Sequence, residues 1–414
     1  MNLSTMQDWL LWVENKHSVD IELGLERIRI VANYLDVDTV ACPVITVAGT
    51  NGKGSTVAAL EAIYSAAHYR TGVFTSPVLL KHNEQVRIQN RMATDAEFCD
   101  AFECIAAASK ALSISLTPFE VHTLAALCIF KTYPLDILIL EVGLGGRLDA
   151  VNLIDADVAV VTSIGIDHVE WLGETRDAIG FEKAGIFRSA KPAVCGDPMP
   201  PRRLIEHAIQ LGTPLLCQGK DFYFVEHDVT WDWHSPAQDY VGLPKNNLLL
   251  QNMTTALMAI TLLQHALPVD VDAIKKGLST IQLRGRREII AGPVMEILDV
   301  AHNPDAVRAL NDFLPTLPPA PRTLAVFSML ADKDVSACLV LLRDAVDVWY
   351  TAPLATKRAA DQAMLQAAFQ KTNITSVTFC PSIQDAYREA QTHARPGDRI
   401  IVFGSFHTVA AVMK

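Results

Sequence analysis

Short, uninterrupted apolar runs alternate with helix-length stretches of mixed polarity along the first half of the chain. "VITVA" (44–48), "TGVFTS" (71–76), "DILILEVG" (136–143) and "DVAVVTSIG" (157–165) read as strands. Runs that are apolar without alternation suit central parallel strands covered on both faces. Between them, "STVAALEAIYSAA" places Val57, Leu60, Tyr64 and Ala67 on one helical face. "TPFEVHTLAALCIFKTY" (117–133) opens with Thr-Pro, a helix-start signal. It is apolar around most of its circumference, so it predicts a buried helix. Strand, helix, strand in this rhythm predicts an α/β fold with a doubly wound sheet.

The pattern loosens from about residue 196. "CQGKDFYFVEHDVTWDW" predicts short antiparallel strands, as a lid or a sheet extension, followed by helices near 248–265 and 270–280. "LRGRREII" (283–290) is a glycine- and arginine-rich break and the expected linker. Alternation then restarts, with strands expected near 294–299, 322–328, 346–351, 375–379 and 398–403. The expected organisation is a large N-terminal P-loop-type sheet domain over 1–284 and a smaller Rossmann-like α/β domain over 285–414.

Composition narrows the function classes. A chain of 414 residues exceeds one ordinary core, which agrees with two domains. Its net charge of −11 without a basic stretch argues against nucleic acid and anionic membrane surfaces as partners. No apolar run approaches the roughly 20 residues needed to span a bilayer, and "MNLSTMQDWLLWVENKH" lacks the basic start and long apolar core of a signal peptide. A cytoplasmic protein is expected. Eight cysteines are scattered with no C-x-x-C pair, which predicts buried, reduced thiols.

The candidate chemistry begins at "VAGTNGKGST" (47–56). Strand, glycine-rich turn and helix make a phosphate-binding context. Gly52 and Gly54 let backbone N–H groups turn inward, Lys53 reaches for terminal phosphates, and Ser55 and Thr56 add hydroxyls. The spacing departs from the usual P-loop, because Gly54 separates Lys53 from Ser55. Three apolar strands lead to polar residues at the ends where open α/β sheets bind ligands: Ser76, Glu141 and His168. A hydroxyl, a carboxylate and an imidazole can hold Mg²⁺ together with phosphate oxygens. Glu141 inside an apolar strand would be costly to bury unpaired. In "EVGLGGRLDAVN" (141–152), Arg147 and Asp149 are expected to be exposed at a strand end.

Nine segments occur in order: "AGTNGKGST", "TSPVLLKHNEQVRI", "LTPFE", "ILEVGLGGRLDAVN", "TSIGIDHVEWLG", "IGFEKAGIFRS", "DVAHNPDA", "MLADKD" and "GSFHTVA". Together they resemble the bifunctional dihydrofolate synthase/folylpolyglutamate synthase family, within the wider amino-acid ligase superfamily that includes the murein ligases. The resemblance implies an ATP-dependent ligase that joins L-glutamate to dihydropteroate and to the terminal glutamate of reduced folates through an acyl phosphate. It implies ATP contacts at Gly52, Lys53, Gly54, Ser55, Asn252, Arg286 and Asp299, with ATP between the domains and the second domain closing over ATP and glutamate. His302 and Asn303 are expected near the same cleft. It implies magnesium ligands at Ser76, Glu141 and His168, in agreement with the strand-end argument. It assigns dihydropteroate contacts to Thr117, Pro118, Phe119 and Glu120, and to Leu148, Asp149 and Ala150. Lys183 matches a lysine that can carry a carbamate and so help hold a second Mg²⁺; catalysis would rest on Lys53, Glu141, His168 and Lys183. A monomer is implied.

Three departures bear on substrate preference. Val78 stands where the family often has histidine, Val151 where threonine is usual, and Arg284 where proline is common. A monofunctional folylpolyglutamate synthase or a murein-type ligase is the alternative. "LTPFE" beside "HSVDIELGLER" favours the bifunctional form, and some 43 residues before the first strand are few for a nucleotide-sugar domain. A nucleotide-dependent switch protein that forms no amide bond is the alternative of a different class.

Overall fold

The computed structural model describes residues 4–17, 19 and 21–413. Ser18 and Asp20 of the "HSVDIELGLER" segment lie outside the described residues. The chain divides into two compact units between Gln282 and Leu283.

The first unit is built on eight strands: β1 (Val44–Ala48), β2 (Thr71–Phe74), β3 (Val86–Ile88), β4 (Arg91–Met92), β5 (Ile137–Glu141), β6 (Val158–Val161), β7 (Ala193–Cys195) and β8 (Leu215–Cys217). Their order is β4-β3-β2-β5-β1-β6-β7-β8. Six run parallel; β3 and β4 add an antiparallel edge. The four strands read from uninterrupted apolar runs are the four at the centre. Each central strand feeds both faces, as its period of two requires. Val44 and Ala48 of β1 join one core and Ile45 and Val47 the other. The buried helix expected over 117–133 is Pro118–Lys131, capped by Thr117.

The antiparallel segment forms a sheet of its own rather than an extension of the large one. It comprises β9 (Tyr223–Glu226), β10 (Thr230–His234) and β11 (Asp239–Pro244), in the order β11-β10-β9. Its inward face carries Trp231 and Trp233, both fully buried. The indole N–H of Trp233 donates to the Thr254 carbonyl in the helix Leu250–Leu262, which ties the small sheet to that helix.

The second unit is a six-stranded sheet of β12 (Glu288–Ile290), β13 (Met295–Asp299), β14 (Thr323–Phe327), β15 (Val348–Thr351), β16 (Val377–Phe379) and β17 (Arg399–Phe403), in the order β12-β13-β17-β14-β15-β16. All pairs are parallel except β12–β13. The expected linker 283–290 is therefore partly strand, since Glu288–Ile290 pairs along the edge of this sheet. Arg284 is an exposed residue 3.7 Å from Glu288.

The cysteines are all free, but only Cys195, Cys217 and Cys338 are buried; Cys104 is exposed and the rest are intermediate. Among the described residues no helix is long and apolar enough to cross a membrane.

One buried pair sets a pH dependence of stability. The rings of His82 and His122 meet edge to face with centroids 4.5 Å apart, beside Phe98 and Phe102. The Nε2 of each is buried without a protein hydrogen-bond partner. Burial pulls His82 down to about 4; burial and the neighbouring His82 pull His122 down to about 3. Below pH ~6.5 the unfolded chain binds protons at these sites and the folded chain does not, so stability falls as pH drops. Each pH unit lost below 6.5 costs about 1.4 kcal/mol per histidine that stays neutral. Urea titrations should show this slope between pH 6.5 and about 5, before most carboxylates titrate, and comparison with a variant separates it from raised carboxyls such as Asp149. His122→Phe should flatten it. An equal slope in that variant would remove the histidine pair as its source.

Candidate functional site

The glycine loop leaves β1 at Ala48 and enters the helix Lys53–Ala66. Gly52 precedes that helix with φ +88°, and a Cβ there would lie 2.3 Å from Oδ1 of Asn252. Only glycine permits both the left-handed backbone and this close approach. It brings Asn252, far along the chain, against the loop. The loop is pinned from the other side as well. Thr50 N donates to the Ser163 carbonyl (2.7 Å), Asn51 N to Ser163 Oγ (3.2 Å), and Thr50 Oγ1 to the Gly165 carbonyl (3.1 Å). Lys53 Nζ donates back to the Gly49 carbonyl at 3.0 Å. Ser55 is buried in the first turn, where a helix presents its positive end.

The three candidate metal ligands come from three neighbouring strand ends. Glu141 is the last residue of β5 and is 4% exposed. Ser76 lies two residues beyond β2, and its backbone N–H donates to Glu141 Oε2 at 3.3 Å. His168 is exposed with φ 52° and stands before the short helix Val169–Leu172. The segment leading to it is the one that pins the glycine loop. Asp197 braces that segment by accepting from Ile164 N (2.8 Å) and Arg176 Nη2 (2.7 Å). Among the described residues no three His, Cys, Asp or Glu side chains gather as a metal site. The donor set of one carboxylate, one imidazole and one hydroxyl suits a hard cation completed by phosphate oxygens and water, as Mg²⁺ prefers.

The "LTPFE" segment and the "RLDA" turn meet across the end of β5. A Cβ on Gly143 would lie 2.5 Å from Phe119 Cζ, so the ring rests on glycine backbone. Phe119 is part-exposed, with its centroid 6.0 Å from that of Phe74. Thr117 and Glu120 form a capping box around Pro118: Thr117 N donates to Glu120 Oε2 (2.7 Å), and Glu120 N to Thr117 Oγ1 (3.3 Å). Arg27 Nη2 donates to the other Glu120 oxygen at 3.2 Å. Arg27 also pairs with Glu22, which accepts from His17. The Glu120 carboxylate is therefore engaged by its cap and by the "ELGLER" segment. Gly24 N donates to the Leu148 carbonyl (3.2 Å), which carries the same segment onto the "RLDA" turn.

Asp149 is not exposed as the sequence suggested; it is 2% exposed. Its oxygens accept from Leu144 N and Val151 N, closing the turn through Ala150. Those amides draw it inward, and burial raises it to about 6 against the opposing pull of the amides and of Lys53. Arg147 is exposed and paired with Glu182. That leaves the adjacent Lys183 inward-facing and 3% exposed. Burial, followed by the Lys53 ammonium, pulls Lys183 down to about 7, against the pull of Asp167 and Asp149. Lys53, Asp149 and Lys183 thus feel one another's charge at one place. Val151 is buried and Val78 partly so.

In the second unit, Arg286, Asp299, His302 and Phe406 cluster where β13 ends. The Arg286 guanidinium stands 4.7 Å from the Phe406 ring centroid, and the His302 ring is 6.2 Å from it. Asp299 accepts from Arg287 N (2.9 Å) and Ala301 N (2.7 Å). Burial raises its carboxyl, against the pull of Arg286 and both amides. Asn303 caps the helix Pro304–Phe313.

Two family models match the chain: the Mur ligase middle domain over residues 47–199 and the Mur ligase glutamate ligase domain over 285–406. A dihydrofolate synthase/folylpolyglutamate synthase from Escherichia coli K12 is 43% identical over 99% of this chain and 95% of that protein. The chain belongs to the dihydrofolate synthase/folylpolyglutamate synthase family. The solved structure of E. coli FolC in complex with DHPP and ADP superposes with a TM-score of 0.95 at 42% identity, covering 99% of this chain and 97% of that one. A bifunctional folylpolyglutamate synthase/dihydrofolate synthase with Mn, AMPPNP and L-glutamate bound gives a TM-score of 0.92 at 44% identity, with 99% and 97% covered.

The resemblance read from nine sequence segments therefore holds over the whole chain. Family membership alone does not report the pinning of the loop to Ser163 and Gly165, nor the Arg27–Glu120 contact. The capping-box spacing of "TPFE" signals only the Thr117–Glu120 bonds, not the approach of Arg27.

Proposed function

We propose that this chain is an ATP-dependent ligase that adds L-glutamate to dihydropteroate and to the terminal glutamate of reduced folates. The observation that carries this is the likeness to dihydrofolate synthase/folylpolyglutamate synthases over 99% of the chain, with the glycine loop packed on Asn252 at Gly52. The charge of Lys53 on Asp149 supports a phosphate loop close to the turn assigned to the pterin acid. A terminal phosphoryl group and an acceptor carboxylate would meet there. The ligands bound to similar chains, namely ADP with DHPP, and AMPPNP with Mn and L-glutamate, support the same reading.

A carboxylate is a poor electrophile because oxide is a poor leaving group. Transfer of the γ-phosphoryl group to it gives an acyl phosphate, whose leaving group is phosphate. The glutamate amine then attacks the acyl carbon, and phosphate departs as the amide forms. Catalysis of this kind rests on positioning and on stabilising charge at the transferred group. Gly52, Gly54 and Ser55 hold the phosphates, and Lys53 offsets their charge. Ser76, Glu141 and His168 hold a divalent cation, which when bound neutralises phosphate charge. Phe119 offers a flat face to the pterin, within a pocket shaped by Thr117, Pro118, Glu120, Leu148, Asp149 and Ala150. Asn252 in the first unit, and Arg286 and Asp299 in the second, are each assigned to ATP. A Lys183 amine poised near pH 7 is partly neutral, so it can add carbon dioxide and release a proton. The resulting carbamate would be an anionic ligand for a second cation.

Phosphate release with ATP, Mg²⁺ and dihydropteroate, measured with and without L-glutamate, tests the reading. Glutamate should raise steady-state release at least tenfold, because the acyl phosphate otherwise stays bound. Release that is indifferent to glutamate would instead indicate a nucleotide switch.

A further inference from the structure

Cys195 and Cys217 lie directly opposite each other at the carboxyl ends of β7 and β8, the parallel pair at one edge of the large sheet. In-register residues on adjacent strands point to the same face. Both cysteines accordingly belong to one core cluster, while Val194 between Ala193 and Cys195 faces the other. The Cys195 S–H has the Asp197 carbonyl 3.9 Å away, and the register sets the two thiols side by side. The proximity of the two thiols lowers Cys217 and raises Cys195. Cys217 is also the more accessible, 8% exposed against 0%.

We propose that Cys195 and Cys217 form a reversible disulfide under peroxide, and that closing it weakens nucleotide binding. Adjacent strands stand about 4.8 Å apart, inside the Cα separation that a disulfide spans. In the reaction the Cys217 thiolate attacks a peroxide oxygen; the O–O bond breaks and a sulfenic acid forms as the first water leaves. Cys195 sulfur then attacks the sulfenic sulfur, the S–O bond breaks, and hydroxide leaves with the Cys195 proton as the second water. Two thiols lose two electrons and one peroxide becomes two waters.

The consequence for nucleotide follows from what Cys195 adjoins, and this part rests on the ligase reading. A disulfide needs Cβ atoms about 3.5–4.5 Å apart, closer than strand spacing alone provides. Closure therefore draws the end of β7 toward β8. The next residue, Gly196, donates to the Val161 carbonyl at the end of β6 (2.8 Å). Its own carbonyl accepts from Gln251 Nε2 at 2.6 Å. A Cβ on Gly196 would lie 2.2 Å from Thr255 Oγ1, so this packing has no slack. Gln251 precedes Asn252, whose amide lies against Gly52 of the phosphate loop. Movement at β7 is passed to the loop through one helix end.

The test uses the full chain treated with hydrogen peroxide and then alkylated. Non-reducing peptide mapping should recover a Cys195–Cys217 cross-link, and dithiothreitol should remove it. Cross-links or oxidised cysteines only elsewhere, Cys104 included, would overturn the pair. Titration calorimetry with ADP and Mg²⁺ should show at least threefold weaker binding to the oxidised chain, reversed by dithiothreitol and absent in Cys217→Ser. Equal ADP affinity of oxidised and reduced chains would overturn the coupling. Cys195→Val serves as the second variant should Cys217→Ser fold poorly. Failure of ADP to bind either form would count against the ligase reading, while the mapping would still decide the disulfide.

Discussion

Replacing Lys53 with alanine should lower kcat by about three orders of magnitude or more and leave the fold intact. Losing one preorganised donor to developing transition-state charge costs about 10²–10³ in rate, and Lys53 carries a full charge as well. In the resting loop its Nζ donates to the Gly49 carbonyl, so truncation removes one neutral tether. The loop keeps its anchors to Ser163 and Gly165. Thermal unfolding should therefore shift little. Lys183 should respond too. The Lys53 ammonium is one reason Lys183 titrates near pH 7, so Lys53→Ala should move its titration upward, readable by NMR of labelled lysine. Near-normal turnover in Lys53→Ala would take the loop out of the mechanism.

The central sheet was legible because its strands are covered on both faces. "VITVA" has one polar position, Thr46, and "DILILE" is polar only at its ends, Asp136 and Glu141, so neither shows a helix stripe. The edges were not legible. β3, β4, β7 and β8 are two or three residues long, too short for a period to register. β7 and β8 carry the Cys195–Cys217 pairing, which exists only once parallel register sets "AVC" beside "LLC". The antiparallel strands near residue 230 were expected, as a lid or as a sheet extension, and the structure rules out the extension. Trp231 and Trp233 explain it: they need a core, and the helix Leu250–Leu262 supplies one together with a carbonyl for the Trp233 indole.

At the site, residue types were legible and their allegiances were not. The glycines and Lys53 announce phosphate through composition alone. Asp149 follows an apolar strand and three glycines, which reads as an exposed carboxylate. Its two backbone donors, at 144 and 151, bury it instead. Glu182 and Lys183 adjoin in sequence, yet Glu182 pairs with Arg147 and frees Lys183 to face inward. His82 and His122 are 40 positions apart and meet only because the helix Pro118–Lys131, which carries His122, packs beside His82.

Glu141→Gln should produce the second largest effect, expressed chiefly as a changed magnesium requirement. Glutamine keeps the size of the side chain and an oxygen that can accept from Ser76 N, which now reaches Glu141 Oε2 at 3.3 Å. Local geometry is therefore kept while the negative charge at the end of β5 is lost. Disturbing even the outer partners of a metal ligand costs about 10–100-fold in affinity or activity, and removing the ligand's own charge should cost at least that. The half-saturating Mg²⁺ concentration should rise by about tenfold or more, and kcat/KM at fixed Mg²⁺ should fall by about 10²-fold. Excess Mg²⁺ should restore part of the activity, because Ser76 and His168 remain. Stability sharpens the contrast with a merely structural role. Glutamine keeps the bond from Ser76 N, so the melting temperature of the metal-free protein should change little. A variant with lower melting temperature and an unchanged Mg²⁺ titration would show that Glu141 braces the Ser76 turn and does not bind the cation.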